Sequence, residues 1–238
     1  MLPYFYHPPL DQQQKLFTLD EPTSKHCIQV LRMQEGEAML LTNGKGLRAT
    51  AEIVAADRKR CSVRVTEAEL LPERPYAFAL GIAFTKNGSR NEWLLEKTTE
   101  MGIEHIYPLL CTRSEKEKFN ADRMQGILVA AMLQSQQCFM PILHEPLPVK
   151  KIVSLLPEYK HRLIAHCIEG EDKSALPGKL AMPGSTLVLV GPEGDFTKDE
   201  VTLCLGNGFE PVSLGQNRLR TETAGLYACT VFNALTYA

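Results

Sequence analysis

The sequence predicts a small β-barrel domain over residues 1–71, followed by a larger α/β domain with a mainly parallel sheet over residues 72–238. Three observations carry this. Up to residue 70 the apolar runs are short and separated by turn residues, as in a small barrel. Leu71-Pro-Glu-Arg-Pro-Tyr76 sets two prolines among charges, a stiff linker. Beyond it strand-like runs alternate with helical ones, the pattern of a parallel sheet covered by helices.

In the first domain, His26-Cys-Ile-Gln-Val-Leu-Arg32 predicts a short helix. Ala38–Thr42 predicts a strand ending at the glycine-rich hairpin Asn43-Gly-Lys-Gly46. Leu47–Ala55 and Cys61–Val65 are further strands, joined by the turn Asp57-Arg-Lys-Arg60. In the second domain, Phe78–Phe84 is a strand, and Ser89-Arg-Asn-Glu92 predicts a capping box for a helix that stops at Gly102. A strand over Ile103–Leu110 precedes a helix from Asn120 to about Cys138, with Met124, Ile127, Leu128 and Ala131 on one stripe. Pro141–Leu143 starts a short strand, and a helix follows near Val149–Leu156. Arg162–Cys167 and Thr186–Val190 are apolar strands. Thr197-Lys-Asp-Glu200 is a second capping box, with Phe196 and Val201 as its hydrophobic staple. Pro211–Leu214 is the last strand and Thr221–Ala234 the last helix.

Bulk properties narrow the class. A chain of 238 residues with 44% apolar and 23% charged residues is ordinary for a globular protein. A net charge of −2 gives no global pull toward nucleic acid, so a phosphate-bearing partner needs a local basic patch. The seven cysteines are dispersed with no C-x-x-C pair, which predicts reduced, mostly buried thiols in the cytoplasm and argues against zinc or another metal. The N-terminus lacks a basic start followed by an apolar core, and no apolar stretch reaches spanning length, so neither a signal peptide nor membrane contact is expected.

Two segments concentrate the functional signal. Leu187-Val-Leu-Val-Gly-Pro-Glu-Gly194 and Ser213-Leu-Gly-Gln-Asn-Arg-Leu-Arg220 each end an apolar strand at a glycine and lead to a helix start. Two such turns in succession place a ligand site at one end of a parallel sheet. Gly191-Pro-Glu-Gly194 is neither a phosphate loop nor G-x-G-x-x-G, and Glu193 and Asp195 would repel phosphate. The acidic turn suits a neutral or cationic ligand, such as a nucleoside bearing a sulfonium. The plain alternative is a tight turn with no ligand. In the second segment Thr221 or Thr223 can cap the last helix, and Glu222 complements its dipole. Arg220 has no such structural role, since a cation is unfavourable at a helix N-terminus unless an anion meets it.

Gly191-Pro-Glu-Gly194, the Phe196-Thr197-x-x-Glu200 helix start and Ser213-Leu-Gly-x-x-x-Leu-Arg-Thr-Glu-Thr-Ala224 together resemble the 16S rRNA (uracil-N3)-methyltransferase family. That family belongs to the SPOUT superfamily of trefoil-knotted, S-adenosylmethionine-dependent enzymes. The resemblance covers nearly the whole chain. His26, Arg32, Gly36 and Asn43-Gly-Lys-Gly46 are similar to its PUA-like RNA-binding domain, and Lys86, Arg90, Glu92, Lys97, Glu100 and Gly102 match its K-x3-R/K-x-E-x4-K-x2-E-x-G run. Three departures stand out. Asp195 replaces the last glycine of GPEGG, Leu133-Gln-Ser-Gln-Gln137 stands where the family has E-Q-S-x-R, and the arginine before the N-terminal aromatic pair is missing beside Tyr4-Phe5-Tyr6.

The resemblance implies a knot around a donor pocket lined by three loops: one near Ala165-His166-Cys167, one over Val190–Gly194, and one over Leu214–Arg220. The implied cofactor-binding set is His166, Leu189, Val190, Gly191, Glu193, Gly194, Leu214, Gly215, Leu219, Arg220 and Thr223, with adenine in an apolar slot of Leu189, Leu214 and Leu219. Arg220 is expected to stabilise charge on the uracil oxygens, and Glu222 to accept the proton or orient Arg220. Arg32, Lys86 and Arg90 are the expected contacts to 16S rRNA within the small ribosomal subunit. A homodimer is implied, with apolar surface from the helix at Asn120 and from Leu226, Val231 and Leu235. The alternative is a non-catalytic RNA-binding or ribosome-assembly module on the same fold. An ordinary nucleotide-binding α/β enzyme is disfavoured by the missing phosphate loop.

Overall fold

The computed structural model describes residues 2–114, 119–155, 159–168 and 172–237. Two units emerge: Met1–Glu73 with Met132–Met140, and Arg74–Ala131 with Pro141–Ala238.

The first unit is built on one curled sheet. Its strands are β1 (Tyr4–Tyr6), β2 (Leu16–Thr18), β3 (Ala38–Thr42), β4 (Leu47–Ala55) and β5 (Ser62–Leu70), in the order β1-β3-β4-β5-β2. β1 runs parallel to β3 and the other pairs are antiparallel. The outer strands approach where His7 stacks on Phe17 with ring centroids 4.5 Å apart. On β4 the buried residues are Leu47, Ala49, Ala51 and Ile53, a strict period of two that fixes the register of the barrel wall. Asn43 Oδ1 accepts from the amides of Lys45 and Leu47, and Asp57 Oδ1 from those of Lys59 and Arg60, so both predicted turns form as side-chain-stabilised turns. The predicted helix at His26–Arg32 starts earlier. Asp20 caps α1 (Glu21–Lys25) by accepting from Thr23, and His26–Val30 continues it as a π turn. Residues 132–140 join this unit: the Gly46 amide donates to Cys138 O at 2.8 Å, and the Phe139 ring fills the space a Cβ on Gly46 would need.

The second unit carries an all-parallel sheet. Its elements are β6 (Phe78–Ile82), α2 (Gly88–Glu100), β7 (His105–Leu110), α3 (Ala121–Gln134), β8 (Ile142–Leu143), β9 (Leu147–Pro148) and α4 (Val149–Leu155), with residue 156 of the predicted fourth helix outside the described residues. Then come β10 (His161–Ala165), β11 (Ser174–Ala175), α5 (Leu176–Lys179), β12 (Thr186–Val190), α6 (Lys198–Gly206), β13 (Glu210–Ser213) and α7 (Thr221–Tyr237). The strand order is β11-β13-β10-β12-β6-β7-β8, with β9 also paired to β7. β6 and β12 are buried at every residue, as central parallel strands covered on both faces must be.

Register decides where the loops emerge. Ile82 is opposite Val190, Val190 opposite Ala165, and Ala165 opposite Val212. Four neighbouring strands therefore end level, and the segments that follow them leave from one edge. β12 inserts between β6 and β10, and β13 between β10 and β11. The chain must then return past the ends of β10 and β12 to start α7, which packs on β6, β12 and α2. This threading is the α/β trefoil-knot class, a rare exception to unthreaded connections.

Several local expectations are corrected. Ser89 caps nothing: α2 starts at Gly88 after Asn87, and its position is set by a buried pair in which the Thr85 amide donates to Asn91 Oδ1 and Asn91 Nδ2 donates to Thr85 O. Glu92 instead takes a two-pronged bond from Arg123 at 2.5 and 3.0 Å. α3 ends at Gln134, with Gln136 in the left-handed region (φ 58°), because the chain must turn back there. Neither Thr221 nor Thr223 caps α7. Arg220 holds the cap position, its carbonyl accepting from the Ala224 amide.

Candidate active site

The level strand ends enclose a cavity of about 680 Å3, within the range of small-molecule sites. Its walls are the segment after β10 (Ala165, His166, Cys167, Lys173), the turn after β12 (Val190–Glu193, Asp195) and the segment after β13 (Val212–Thr221).

The middle wall is held most firmly. Gly191 leaves little room for a side chain, because an added Cβ would lie 3.0 Å from the ring of the fully buried Phe196 and 3.1 Å from its amide nitrogen, so Phe196 would have to give way. The Asp195 amide closes the turn onto Pro192 O at 2.9 Å, with Asp195 at φ 64°. Arg113 donates to Gly194 O at 2.8 Å and to Phe196 O at 3.4 Å. The Thr197–Glu200 capping box forms as predicted, and Glu200 Oε1 also accepts from the Thr112 amide and hydroxyl. Burial pushes the Glu200 carboxyl up, but the bonds from Thr197 and Thr112 outweigh it and leave it below the usual carboxylate range.

The third wall turns at Gly215 (φ 124°), where the Ser213 hydroxyl meets both the amide and the carbonyl of that glycine at 3.2 Å. It is tied to the middle wall by the buried Thr221 hydroxyl, which donates to Gly191 O at 3.2 Å. The two glycine-ended turns read from the sequence are thus neighbours joined by a direct hydrogen bond. In the first wall, Lys173 Nζ donates to His166 O and Ile168 O, and the Cys167 amide donates to Asp195 Oδ2.

Of the residues singled out from sequence, His166, Val190, Gly191, Glu193, Leu214, Gly215, Leu219 and Arg220 line this cavity. Leu189, Gly194, Glu222 and Thr223 are not in the lining. Leu189 is fully buried on the opposite parity of β12 and packs over Gly81 in the core, so the apolar slot keeps only Leu214 and Leu219. Gly194 lies under the Arg113 stem and Thr223 is exposed on α7. Glu222 is 7% exposed, and its Oε1 faces Arg90 Nε of α2 at 3.6 Å. Lys86 follows β6 and Arg90 begins α2, so both stand at the sheet end that holds the cavity. Arg32 is exposed in the first unit, in the left-handed region at φ 57°. Sequence reading passed over Lys173 and Arg218 as cavity residues and Asp195 as a contact between loops. Nothing local marks Lys173. For Asp195, the signal was an aspartate where a turn favours glycine.

The second unit corresponds to a family model described as the RNA methyltransferase domain, matched over residues 72–233, and the first to the RNA methyltransferase PUA domain, matched over residues 19–66. A ribosomal RNA small subunit methyltransferase E of Synechocystis sp. is 31% identical over 88% of this chain and 70% of its own. The chain belongs to this RNA methyltransferase family. A crystal structure described as a probable rRNA-methyltransferase from Porphyromonas gingivalis superposes with a TM-score of 0.91 at 37% identity, over 99% of this chain and 98% of that one. A methyltransferase of Legionella pneumophila, solved with bound cofactor SAM, matches with a TM-score of 0.86 at 29% identity over 98% of both. Enzymes of this family use S-adenosylmethionine as methyl donor. Among the described residues no group of three or more His, Cys, Asp or Glu is placed to hold a metal ion, and no helix is long and apolar enough to cross a membrane.

Proposed function

We propose that this chain transfers the methyl group of S-adenosylmethionine to N3 of a uridine in 16S rRNA, with the donor in the cavity at the ends of β10, β12 and β13. The observation that carries this is the meeting of three loops around one cavity in a member of this family. The lining mixes an acid (Glu193) with bases (Arg218, Arg220). That mixture suits a donor that bears a carboxylate, an ammonium and a sulfonium at once. Main-chain groups of the turns at Gly191 and Gly215 would hold the nucleoside, with Leu214 and Leu219 against adenine.

The bond that breaks joins the methyl carbon to the sulfonium, the bond that forms joins that carbon to N3, and the N3 proton passes to water. Uracil N3 carries a proton with a pKa well above neutral and is normally paired, so the base must be exposed at a cost of a few kcal/mol. Holding donor and acceptor in line lowers the barrier by about 7–11 kcal/mol, against roughly 10²–10⁴ in rate from a general base. Positioning therefore dominates. Arg220, at the cavity, stabilises the negative charge that develops on the uracil oxygens. Glu222, buried two residues further on and paired with Arg90, orients the helix start that presents Arg220. Arg32, Lys86 and Arg90 contact the RNA backbone. The reading includes a cytoplasmic homodimer acting within the small subunit, with α7 and its half-exposed Leu235 at the dimer contact.

The test is methylation of ribosomal RNA from a strain lacking the activity, followed by nucleoside mass spectrometry. 3-Methyluridine is the expected product, and a methylated cytidine or guanosine overturns the assignment. Arg220→Ala should keep donor affinity within about tenfold yet slow transfer far more. Equal loss of both would make Arg220 a binding residue only.

A further inference from the structure

The wall after β10 is held in an unusual way. Three consecutive residues have their main-chain polar groups taken by two side chains of opposite charge. The Lys173 ammonium bonds His166 O at 2.9 Å and Ile168 O at 2.7 Å. Between these carbonyls, the Cys167 amide bonds Asp195 Oδ2 at 2.8 Å. The second oxygen of Asp195 takes the Phe196 amide at 2.8 Å, which fixes the carboxylate itself. Asp195 adopts φ 64°, a region that favours glycine and that aspartate tolerates. A glycine there would make the same turn but could not reach Cys167. Both clamp residues line the cavity together with the segment they hold.

We propose that Asp195 and Lys173 are positioning residues that pre-form the first wall of the donor cavity. Resting on the donor-site reading above, this assigns them an effect on donor affinity rather than on the transfer step. A wall without the clamp would have to be ordered at the moment of binding, and that ordering opposes affinity. The carboxylate spans from the turn after β12 to the segment after β10, so it couples two loops that no main-chain hydrogen bond joins among the described residues.

Three variants separate the outcomes. Asp195→Gly keeps the turn and removes both acceptors. Asp195→Asn keeps one acceptor for the Cys167 amide. Lys173→Met removes the ammonium while keeping the stem. Hydrogen exchange at Cys167 in the donor-free protein should quicken about tenfold or more in Asp195→Gly and far less in Asp195→Asn. Calorimetric titration should give an S-adenosylmethionine Kd about tenfold weaker for Asp195→Gly and Lys173→Met, with kcat within about threefold and Asp195→Asn near the parent. Unchanged exchange and unchanged Kd in Asp195→Gly would overturn the clamp. So would a fall in kcat at constant KM, which would place these groups at the chemistry. If the parent itself bound no donor, the donor-site reading would fail, and the exchange experiment would still decide whether the clamp exists.

Discussion

Thr221→Val removes the buried hydrogen bond between the two glycine-ended turns and leaves the exposed one from Arg218 to Glu193 O in place. Valine matches threonine in shape and removes only the hydroxyl, which donates to Gly191 O at 3.2 Å in a buried position. An ordinary hydrogen bond contributes about 1 kcal/mol, and a buried acceptor left unpaired costs about 1–3 kcal/mol. Gly191 O sits at the cavity wall, so water can recover part of that cost, which sets the expected loss at about 1–2 kcal/mol. If the bond holds the turns in their binding geometry, the same energy appears in donor affinity as a roughly 5–30-fold weaker Kd. Thermal unfolding should drop by about 2–8 °C, since 1 kcal/mol corresponds to roughly 2–4 °C in a chain of this size. Thr221→Ser keeps the hydroxyl and should bind within about threefold of the parent. The assay is calorimetric titration with S-adenosylmethionine beside a thermal melt. A valine variant that melts lower but binds the donor as tightly as the parent would show that the link between the turns has no part in binding.

Other perturbations test the frame around the site. Burial raises the Glu104 carboxyl from its usual 4.5 to about 7, against the bond it accepts from the Phe78 amide and the pull of Arg74. Its stabilising contribution is complete below pH 4.5 and is lost as pH rises through about 7. Glu104→Gln should therefore match the parent near pH 4.5 and exceed it by about 1–3 kcal/mol at pH 8 in denaturant titrations, and a pH-independent difference would refute the assignment. Arg90→Ala removes the partner of the buried Glu222 carboxylate and should cost about 1–3 kcal/mol, less than a fully buried pair because the Arg90 side chain is 35% exposed, whereas adding Glu222→Gln should restore much of it; additive losses in that double-mutant cycle would mean the 3.6 Å pair carries no coupling. Gly191→Ala sets a methyl 3.0 Å from the buried Phe196 ring, which must shift by a few tenths of an ångström, and should cost about 1–3 kcal/mol. Gly126→Ala, in the middle of α3 with nothing within 4 Å of the new methyl, should stabilise by about 0.5–1 kcal/mol, so equal effects at the two glycines would contradict the packing.

Several strands were legible because a continuous apolar run, or one with a strict period of two, bounded by turn residues has few other structures open to it. Thr186–Val190 was read from the sequence with both ends as observed, and so were Ala38–Thr42 and Leu47–Ala55. The capping box at Thr197 was legible because its two hydrogen bonds are local, while the similar pattern at Ser89 failed because a tertiary pair, Thr85 with Asn91, sets the start of α2. Short edge strands such as β2, β9 and β11 carry two or three residues each, too few to show a period. Nor does local sequence show that residues 132–140 pack with the first unit, because that depends on Phe139 filling the space beside Gly46. At the site, the glycine turns and Arg220 stood out by residue type. Leu189 was misplaced because strand parity, not proximity in sequence, decides which face a side chain lines. Lys173 and Asp195 act across loops, and such pairings follow only from the strand order.

Electrostatics at the start of α7 argue for Arg220 independently of any motif. Arg48, Arg123 and Arg90 each lie within 4.0 Å of a carboxylate, on Glu69, Glu92 and Glu222 respectively. Arg220 has no such ion pair among the described residues, although it occupies the cap position, where the helix dipole is already positive. Glu222, in the first turn, offsets the dipole, but its Oε1 faces Arg90 at 3.6 Å rather than Arg220. A cation kept at that place costs stability, and packing gives nothing back, because Arg220 is exposed at the cavity wall. The arrangement becomes favourable once negative charge arrives in the cavity. The guanidinium, at the cavity wall, then acts on it. In the transfer proposed here, that charge is the one left on the uracil ring as N3 loses its proton; it is absent from the bound neutral base and is consumed as the N3–methyl bond completes. An interaction of this kind raises the rate without tightening the ground-state complex, which is why the Arg220→Ala variant should separate turnover from donor affinity.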